Sequence, residues 1–347
     1  MTTTKETKNA PLVWLDAATL TIEGKGWTDT ESFYDRFPAK AKALVHPDVW
    51  GLAQNSAGIV VKFETDSTEI QVRWKLRMER LALTHMPATG ASGIDLYVMH
   101  NDKLRQLATG FPADIESEAN LIWDISSQMR EYALYLPLYN GVESVKVGVI
   151  AGSKTRKASK RKKDVKPVVV YGSSIVQGGC ASRPGMAYPS IISRALDIET
   201  INLGFSGAGK CEHEVSDLLV ELDPSIFVID CIPNMAIETV DERIRYLLDK
   251  LKTTHPDTPI ILMESPGLQN EFICHNDPWN LLQKNDILKS IYQDYVDGWK
   301  SEMHYIEGSS LMGDDGEATV DGLHPTDLGF TRMANAVAPI LDRIINK

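Results

Sequence analysis

The chain is poor in the residues that would announce a metal centre or a disulfide scaffold. Its 347 residues include four cysteines, Cys180, Cys211, Cys231 and Cys274, with no paired spacing of the metal-binding or redox kind. An even count permits bridges without implying them. Long apolar runs are missing too: nothing approaches the ~20 residues of a membrane-spanning helix, and Met1–Lys8 lacks the apolar centre of an export signal. The expectation is a cytoplasmic protein as written, periplasmic or secreted only if a leader has been trimmed. Positive charge is in deficit, with 36 Lys and Arg against 47 Asp and Glu and a net charge of −11. That balance opposes nucleic acid and anionic membrane as partners and favours a neutral or weakly charged small molecule. Apolar residues at 43% and charged residues at 24% are ordinary for a globular chain. The length calls for two domains of about 150 and 180 residues.

After a polar tail over 1–11, residues 12–151 follow a period of two. Glu69-Ile70-Gln71-Val72-Arg73-Trp74 alternates without a break, and Thr65-Asp66-Ser67 could fold it back on Ile59–Phe63 as a hairpin. A second hairpin is expected through Asn101-Asp102. A third would join Tyr132–Leu138 to Val145–Val149 through Asn140-Gly141. Such a pattern predicts an antiparallel, jelly-roll-like sandwich. The basic stretch 152–166 reads as a solvated linker rather than a nucleic-acid tail. From 167 to 347 the rhythm is strand, loop, helix, with strands at 168–171, 199–203, 226–230, 259–263 and 304–306. A helix spans 240–251 behind a Thr239-x-x-Glu242 capping box, and another carries Phe330, Met333, Ala334, Val337 and Leu341 on one face. This alternation predicts a parallel sheet covered on both sides.

Val168-Val169-Val170-Tyr171-Gly172-Ser173-Ser174 runs a buried strand into a small-residue turn, which would present Ser174 where open α/β sheets place their sites. The same pattern also suits a plain βα turn. A serine nucleophile needs a base within hydrogen-bond reach and a group that orients the base. Asp321-Gly322-Leu323-His324 could supply both, or could simply cap the helix that follows. Between the two lie strand-then-loop units ending at Gly207, whose backbone N–H could face an oxyanion, and at Asn234, whose side-chain amide could do the same.

At these positions the chain resembles the SGNH (GDSL-type) hydrolases, whose sequence blocks carry a serine, a glycine, an asparagine and an Asp-x-x-His in that order. Ser174, Gly207, Asn234 and Asp321/His324 follow that order. Gly93-Ile94-Asp95-Leu96-Tyr97 and the segment Gly178–Tyr188 resemble the branch in which a Gly-x-Asp-Leu-Tyr β-sandwich precedes the hydrolase domain. The resemblance implies a three-layer α/β/α domain behind a sandwich, and a serine esterase without cofactor or metal. In it Ser174 is the nucleophile, His324 the base, Asp321 its orienter, and Ser174, Gly207 and Asn234 the oxyanion donors. It also implies small acyl esters, O-acetyl groups on carbohydrate foremost. An acyltransferase with the same triad and a non-catalytic glycan-binding protein are the alternatives. Two departures stand out: Ser173 replaces the aspartate of the family name, and Cys231-Ile232-Pro233-Asn234 replaces Gly-x-Asn-Asp.

Other polar residues keep two readings each. Arg183 could meet substrate or clamp its own loop, and Glu264 could line the site or serve the structure. Trp50, with Trp14, Trp27 and Trp74, could form a sugar-stacking platform or be core, and Trp74 is expected in the core. Cys211-Glu212-His213-Glu214 could hold a metal or merely begin a helix. The segment Tyr34–Ser56, including Arg36, His46 and Trp50, is too apolar for a free loop and is expected to close a cleft shared by both domains.

Overall fold

A strand of aliphatic and aromatic side chains needs cover on both faces, and Val168-Val169-Val170-Tyr171 finds it within a parallel sheet in the computed structural model. The structure describes residues 11–159, 161, 165–273 and 276–347. The first half contains β1 (Leu12–Asp16), β2 (Thr21–Glu23), α1 (Pro47–Ala53), β3 (Val60–Thr65), β4 (Ile70–Leu76) and α2 (Ala88–Ala91). It continues with β5 (Ile94–His100), β6 (Lys103–Gly110), β7 (Glu116–Ile122), β8 (Arg130–Tyr135), β9 (Val142–Ile150) and β10 (Thr155–Lys157). The second half contains β11 (Val168–Gly172), α3 (Ser174–Gln177), α4 (Tyr188–Leu196), β12 (Thr200–Gly204), α5 (His213–Leu219) and β13 (Ile226–Asp230). It ends with α6 (Ile237–Thr254), β14 (Ile260–Met263), α7 (Leu281–Val296), β15 (Met303–Ile306) and α8 (Asp327–Ile345).

The parallel sheet has the order β12-β11-β13-β14-β15. Apolar stripes of α5, α6 and α7 cover one face, and α4 and α8 cover the other. Because β11 lies between β12 and β13, the chain reverses its winding there and opens a crevice at the carboxyl ends of these three strands. The first half is an antiparallel sandwich of β1-β9-β4-β7 against β10-β3-β8-β5-β6, with β2 added to β3. Trp74, Phe63 and Tyr132 fill its core.

Two expected hairpins are instead corners between the sheets. β3 and β4 belong to different sheets, and the corner is satisfied from the end of β9 and the residue before β10, where Ile150 N donates to Ser67 Oγ and Lys154 N to Asp66 Oδ1. Likewise β8 and β9 part at Asn140, whose side chain bonds Met78 N, Met78 O and Ser92 Oγ rather than closing a turn. The hairpin through Asn101-Asp102 forms, with both residues at the positive φ such a turn requires. The capping box does not. Helix α6 starts earlier, Thr239 Oγ1 donates back to Ala236 O, and Glu242 is engaged by His213. Nor do the described residues of 152–166 behave as a free linker: β10 pairs with β3, and Arg161 reaches Glu23 at 2.6 Å and Asp197 at 3.4 Å.

The two halves share one core. Trp27, Phe37, Ala41, Val45, Val49 and Ala53 of the first half pack with Leu203, Phe205 and Leu222 of the second. Fully buried Arg36 fastens them. Its guanidinium donates to Asn55 O, Leu52 O, Asn202 O and Gly204 O at 2.7–3.1 Å and lies over the Phe205 ring. Burial pulls its pKa down to about 9. Hydrogen bonds to a charged group are each worth ~1.5–3 kcal/mol, so Arg36→Met, which abandons four buried carbonyls, should cost at least ~3 kcal/mol in chemical denaturation. Arg36→Lys should recover little, because one ammonium cannot reach all four. A loss below ~0.5 kcal/mol would show that the clamp is dispensable.

Asp230, at the end of β13, is also fully buried; Tyr188 Oη donates to its Oδ2, and Oδ1 has no partner among the described residues. Burial raises its carboxyl to about 8 against the hydrogen bond from Tyr188. In the unfolded chain an aspartate titrates near ~3.9, so from there to about 8 the native state holds the extra proton and stability falls as pH rises. Denaturation midpoints from pH 5 to 9 should therefore show Asp230→Asn gaining on the parent as pH rises. A pH-independent difference would contradict the assignment.

Candidate active site

The crevice collects three strand ends and one distal turn. Ser174 opens α3 directly after β11, and Ser173 caps it by accepting Ile175 N at its Oγ. The small side chain of Ser173 fills this capping role, and its own N–H donates to Asp230 O. The departure from aspartate therefore leaves the turn intact. Ser174 Oγ lies 3.0 Å from His324 Nε2, and His324 Nδ1 lies 2.7 Å from Asp321 Oδ2. The turn carrying both partners needs Gly322 at φ 91°, and Asp321 Oδ1 accepts the N–H groups of Leu323 and His324. Burial works to raise the Asp321 carboxyl, but these bonds and the histidine ring outweigh it and hold the pKa below the usual value. The geometry suits a hydroxyl whose proton passes to an oriented imidazole.

Donors converge from the neighbouring strands. Gly207 follows β12 at φ 70°, with nothing near the position of a Cβ, and Ser206 N is fixed by Gln177 Oε1 at 2.9 Å. Neither Ser174 N nor Gly207 N donates to a protein acceptor among the described residues. Asn234 closes a short 3-10 turn after β13, and its Nδ2 donates one hydrogen to Phe205 O at 3.0 Å, which leaves the other. Pro233 and its neighbours are held by buried Lys284 of α7, whose Nζ bonds Met235 O at 3.0 Å and Pro233 O at 3.4 Å. Burial lowers the Lys284 pKa. Gln177 and Lys284 carry no motif. Their signal in sequence is a polar residue on an otherwise buried helix face.

A cleft of about 550 Å³ runs from Ser206 and Gly207 to sandwich residues Leu52, Asn55, Met78, Arg80 and Leu83. Tyr139 also lines it and donates its hydroxyl to Ser174 O at 3.3 Å. Part of the segment Tyr34–Ser56 borders this cleft, through Pro47, Gly51, Leu52 and Asn55. Its named residues do not. Arg36 is the buried clamp, His46 caps α1, and Trp50 lies against the core under Lys42.

The remaining candidates go elsewhere. Arg183 is bound by Asp95 and by the hydroxyl of Tyr97, the acid and the tyrosine of the Gly-x-Asp-Leu-Tyr motif, so it clamps the sandwich to the loop after Ser174. Glu264 accepts Tyr305 Oη and Gly308 N, which makes it structural. Trp27 and Trp74 are core, and Trp14 lies under Arg73, so no tryptophan platform forms. Cys211 and Cys231 lie with sulfurs 2.8 Å apart in the core, whereas His213 pairs with Glu242 and stacks on Tyr246. The Cys211–Glu214 cluster therefore does not assemble, and no metal-binding group of three or more such side chains occurs among the described residues. Cys180 follows Ser174 closely, but burial and the Asp321 charge push its thiol up to about 12, so it is no rival nucleophile. Cys274 lies outside the described residues.

Comparison with known proteins places this geometry. Residues 165–342 match the GDSL-like lipase/acylhydrolase family, and residues 12–155 match the GxDLY domain found at the N-terminus of SGNH-hydrolase-type esterases. A candidate GDSL-like lipase from Bacteroides ovatus is 33% identical, with 97% of this chain and 98% of that one covered at a TM-score of 0.91. The salicylyl-acyltransferase SsfX3 of a tetracycline biosynthetic pathway shares the fold at 17% identity, TM-score 0.76 and 98% coverage of both chains. A family two carbohydrate esterase from Clostridium thermocellum, solved with cellohexaose, shares it at 15% identity and TM-score 0.61, over 84% of this chain and 93% of that one. No curated protein matches. No helix among the described residues is long and apolar enough to cross a membrane. The chain is an ester hydrolase that belongs to the GDSL-like lipase/acylhydrolase family, with the antiparallel GxDLY sandwich in front of its α/β/α domain.

Proposed function

We propose that the protein hydrolyses small acyl esters, O-acetyl groups on carbohydrate foremost, through an acyl-enzyme on Ser174. The supporting observation is the unbroken line from Ser174 Oγ to His324 Nε2 at 3.0 Å and from His324 Nδ1 to Asp321 Oδ2 at 2.7 Å. Ser174 Oγ attacks the ester carbonyl as His324 takes its proton, and Asp321 steadies the imidazolium. The carbonyl electrons collect on an oxygen facing Ser174 N, Gly207 N and the free hydrogen of Asn234 Nδ2. One such donor is typically worth ~3 kcal/mol in the transition state. Collapse expels the alcohol, which leaves with the proton from His324. Water then repeats the sequence and releases the acid.

The carbohydrate part of the reading draws on the shared fold with an esterase solved with cellohexaose and on a cleft much larger than an acetyl group. Transfer to a second alcohol, the activity named for SsfX3, would require water to be kept out. Asp321 is 42% exposed, so water reaches the line of residues and hydrolysis is favoured. A glycan-binding role without catalysis leaves the same alignment without a purpose.

Ser174→Ala should fold as the parent does, lose at least ~10³ in kcat on an acetyl ester, and lose labelling by a fluorophosphonate. Retained turnover or retained labelling in that variant would remove Ser174 from the mechanism.

A further inference from the structure

The stretch from Arg77 to Pro87 leaves the sandwich and docks on the hydrolase half. It is anchored at both ends. Met78 is held through its N–H and its carbonyl by Asn140, and Met86 is buried with Ile175, Ala181 and Ala187 of the hydrolase half. Just beyond, Thr89 Oγ1 donates to Ser182 O at 2.6 Å. Between the anchors, Leu83 and Met86 exchange backbone hydrogen bonds, a tight turn with Thr84 and His85 at its tip. The His85 ring lies 5.5 Å from the His324 ring, centroid to centroid, at an interplanar angle of 55°. Thr84 Oγ1 engages His85 Nδ1 at 3.3 Å, and His85 Nε2 has no protein partner among the described residues.

An exposed histidine at a turn tip is ordinarily a solvated residue. Here the turn is pinned on both sides, and its imidazole stands beside the imidazole that must deliver a proton to the leaving alcohol. The tetrahedral carbon carries three oxygens: Ser174 Oγ, the oxyanion and the departing ester oxygen. The oxyanion belongs to the donors at Gly207 and Asn234, and the departing oxygen must come within about 3 Å of His324 Nε2. A group flanking His324 therefore flanks the alcohol rather than the acyl chain.

We propose that His85 is a specificity-determining residue for the leaving group: its free Nε2 hydrogen-bonds a hydroxyl of the departing alcohol and selects esters of polyhydroxylated alcohols over those of aryl alcohols. This rests on the reading of Ser174, His324 and Asp321 given above. It adds a binding contact and no covalent step, and it assigns to the sandwich half a direct part in choosing the substrate.

The test compares a mono-O-acetyl hexose with p-nitrophenyl acetate, which deliver the same acyl group from alcohols with and without hydroxyl neighbours. The quantity read is the ratio of kcat/KM for the sugar ester to that for the aryl ester. In His85→Ala the ratio should fall about fivefold or more, chiefly through KM on the sugar ester, as loss of one substrate hydrogen bond implies. His85→Asn, which keeps a donor and an acceptor and suits a turn, should recover part of it. Thermal unfolding of both variants should match the parent. An unchanged ratio, whether both rates fall together or neither does, overturns the proposal, as does a parent enzyme that cleaves only the aryl ester. Failure of the underlying triad reading has a different signature, since Ser174→Ala would then keep its activity on both esters.

Discussion

A guanidinium buried among carbonyls, with no ion-pair partner among the described residues, is the constraint on which the structure turns. Arg36 comes from the sandwich half, yet two of its four acceptors, Asn202 O and Gly204 O, lie on β12. Four charge-assisted bonds offset the cost of burying its charge, and they persist only while Leu52, Asn55 and the end of β12 keep their relative positions. The next residue along the chain is Phe205, which stacks under the guanidinium, accepts Asn234 Nδ2 and leads into Gly207. The placement of the donors thus depends on a residue that never meets substrate.

The same logic organises the rest of the crevice. Ser174, Gly207 and Asn234 each follow a different strand while Asp321 and His324 share one distal turn, and each segment is braced by a nearby side chain. Gln177 braces Ser206, Lys284 the turn of Asn234, and the carboxylate of Asp321 its own turn. Arg183 bound to Asp95 and Tyr97 closes the arrangement from the sandwich side and gives the Gly-x-Asp-Leu-Tyr motif a physical role. The motif is the socket into which the loop after Ser174 is plugged.

How much of this could be seen in the residues alone follows from which signals are local. The unbroken apolar run of β11 could only be a central strand, so the turn at Ser174 and the parallel sheet were legible. Period-two alternation was legible too, and Trp74 is core as expected. What alternation cannot state is which sheet a strand joins. Thr65-Asp66-Ser67 and Asn140-Gly141 look like hairpin turns but are corners, because the bonds that decide the matter come from residues far along the chain. Thr239-x-x-Glu242 failed as a cap for the same reason, since Glu242 had a distant partner in His213. Arg183 and Glu264 stood out as possible substrate-binding residues, but the partners that engage them are tertiary. Gln177 and Lys284 went unnoticed because their one local signal is a polar residue on a buried helix face, and His85 because its neighbour His324 lies far along the chain.

Arg36 and the shared core tie the two halves into one body. The most direct measurement opens the chain between residues 159 and 165 and compares the isolated C-terminal half, the two halves co-expressed, and the intact chain, reading folding by hydrogen exchange and kcat/KM on a small acetyl ester. The isolated half, stripped of Arg36 and of the Trp27–Ala53 side of its core, should lack cooperative protection and activity, and co-expression should restore both. A C-terminal half that folds alone and hydrolyses the ester as fast as the intact chain would contradict it.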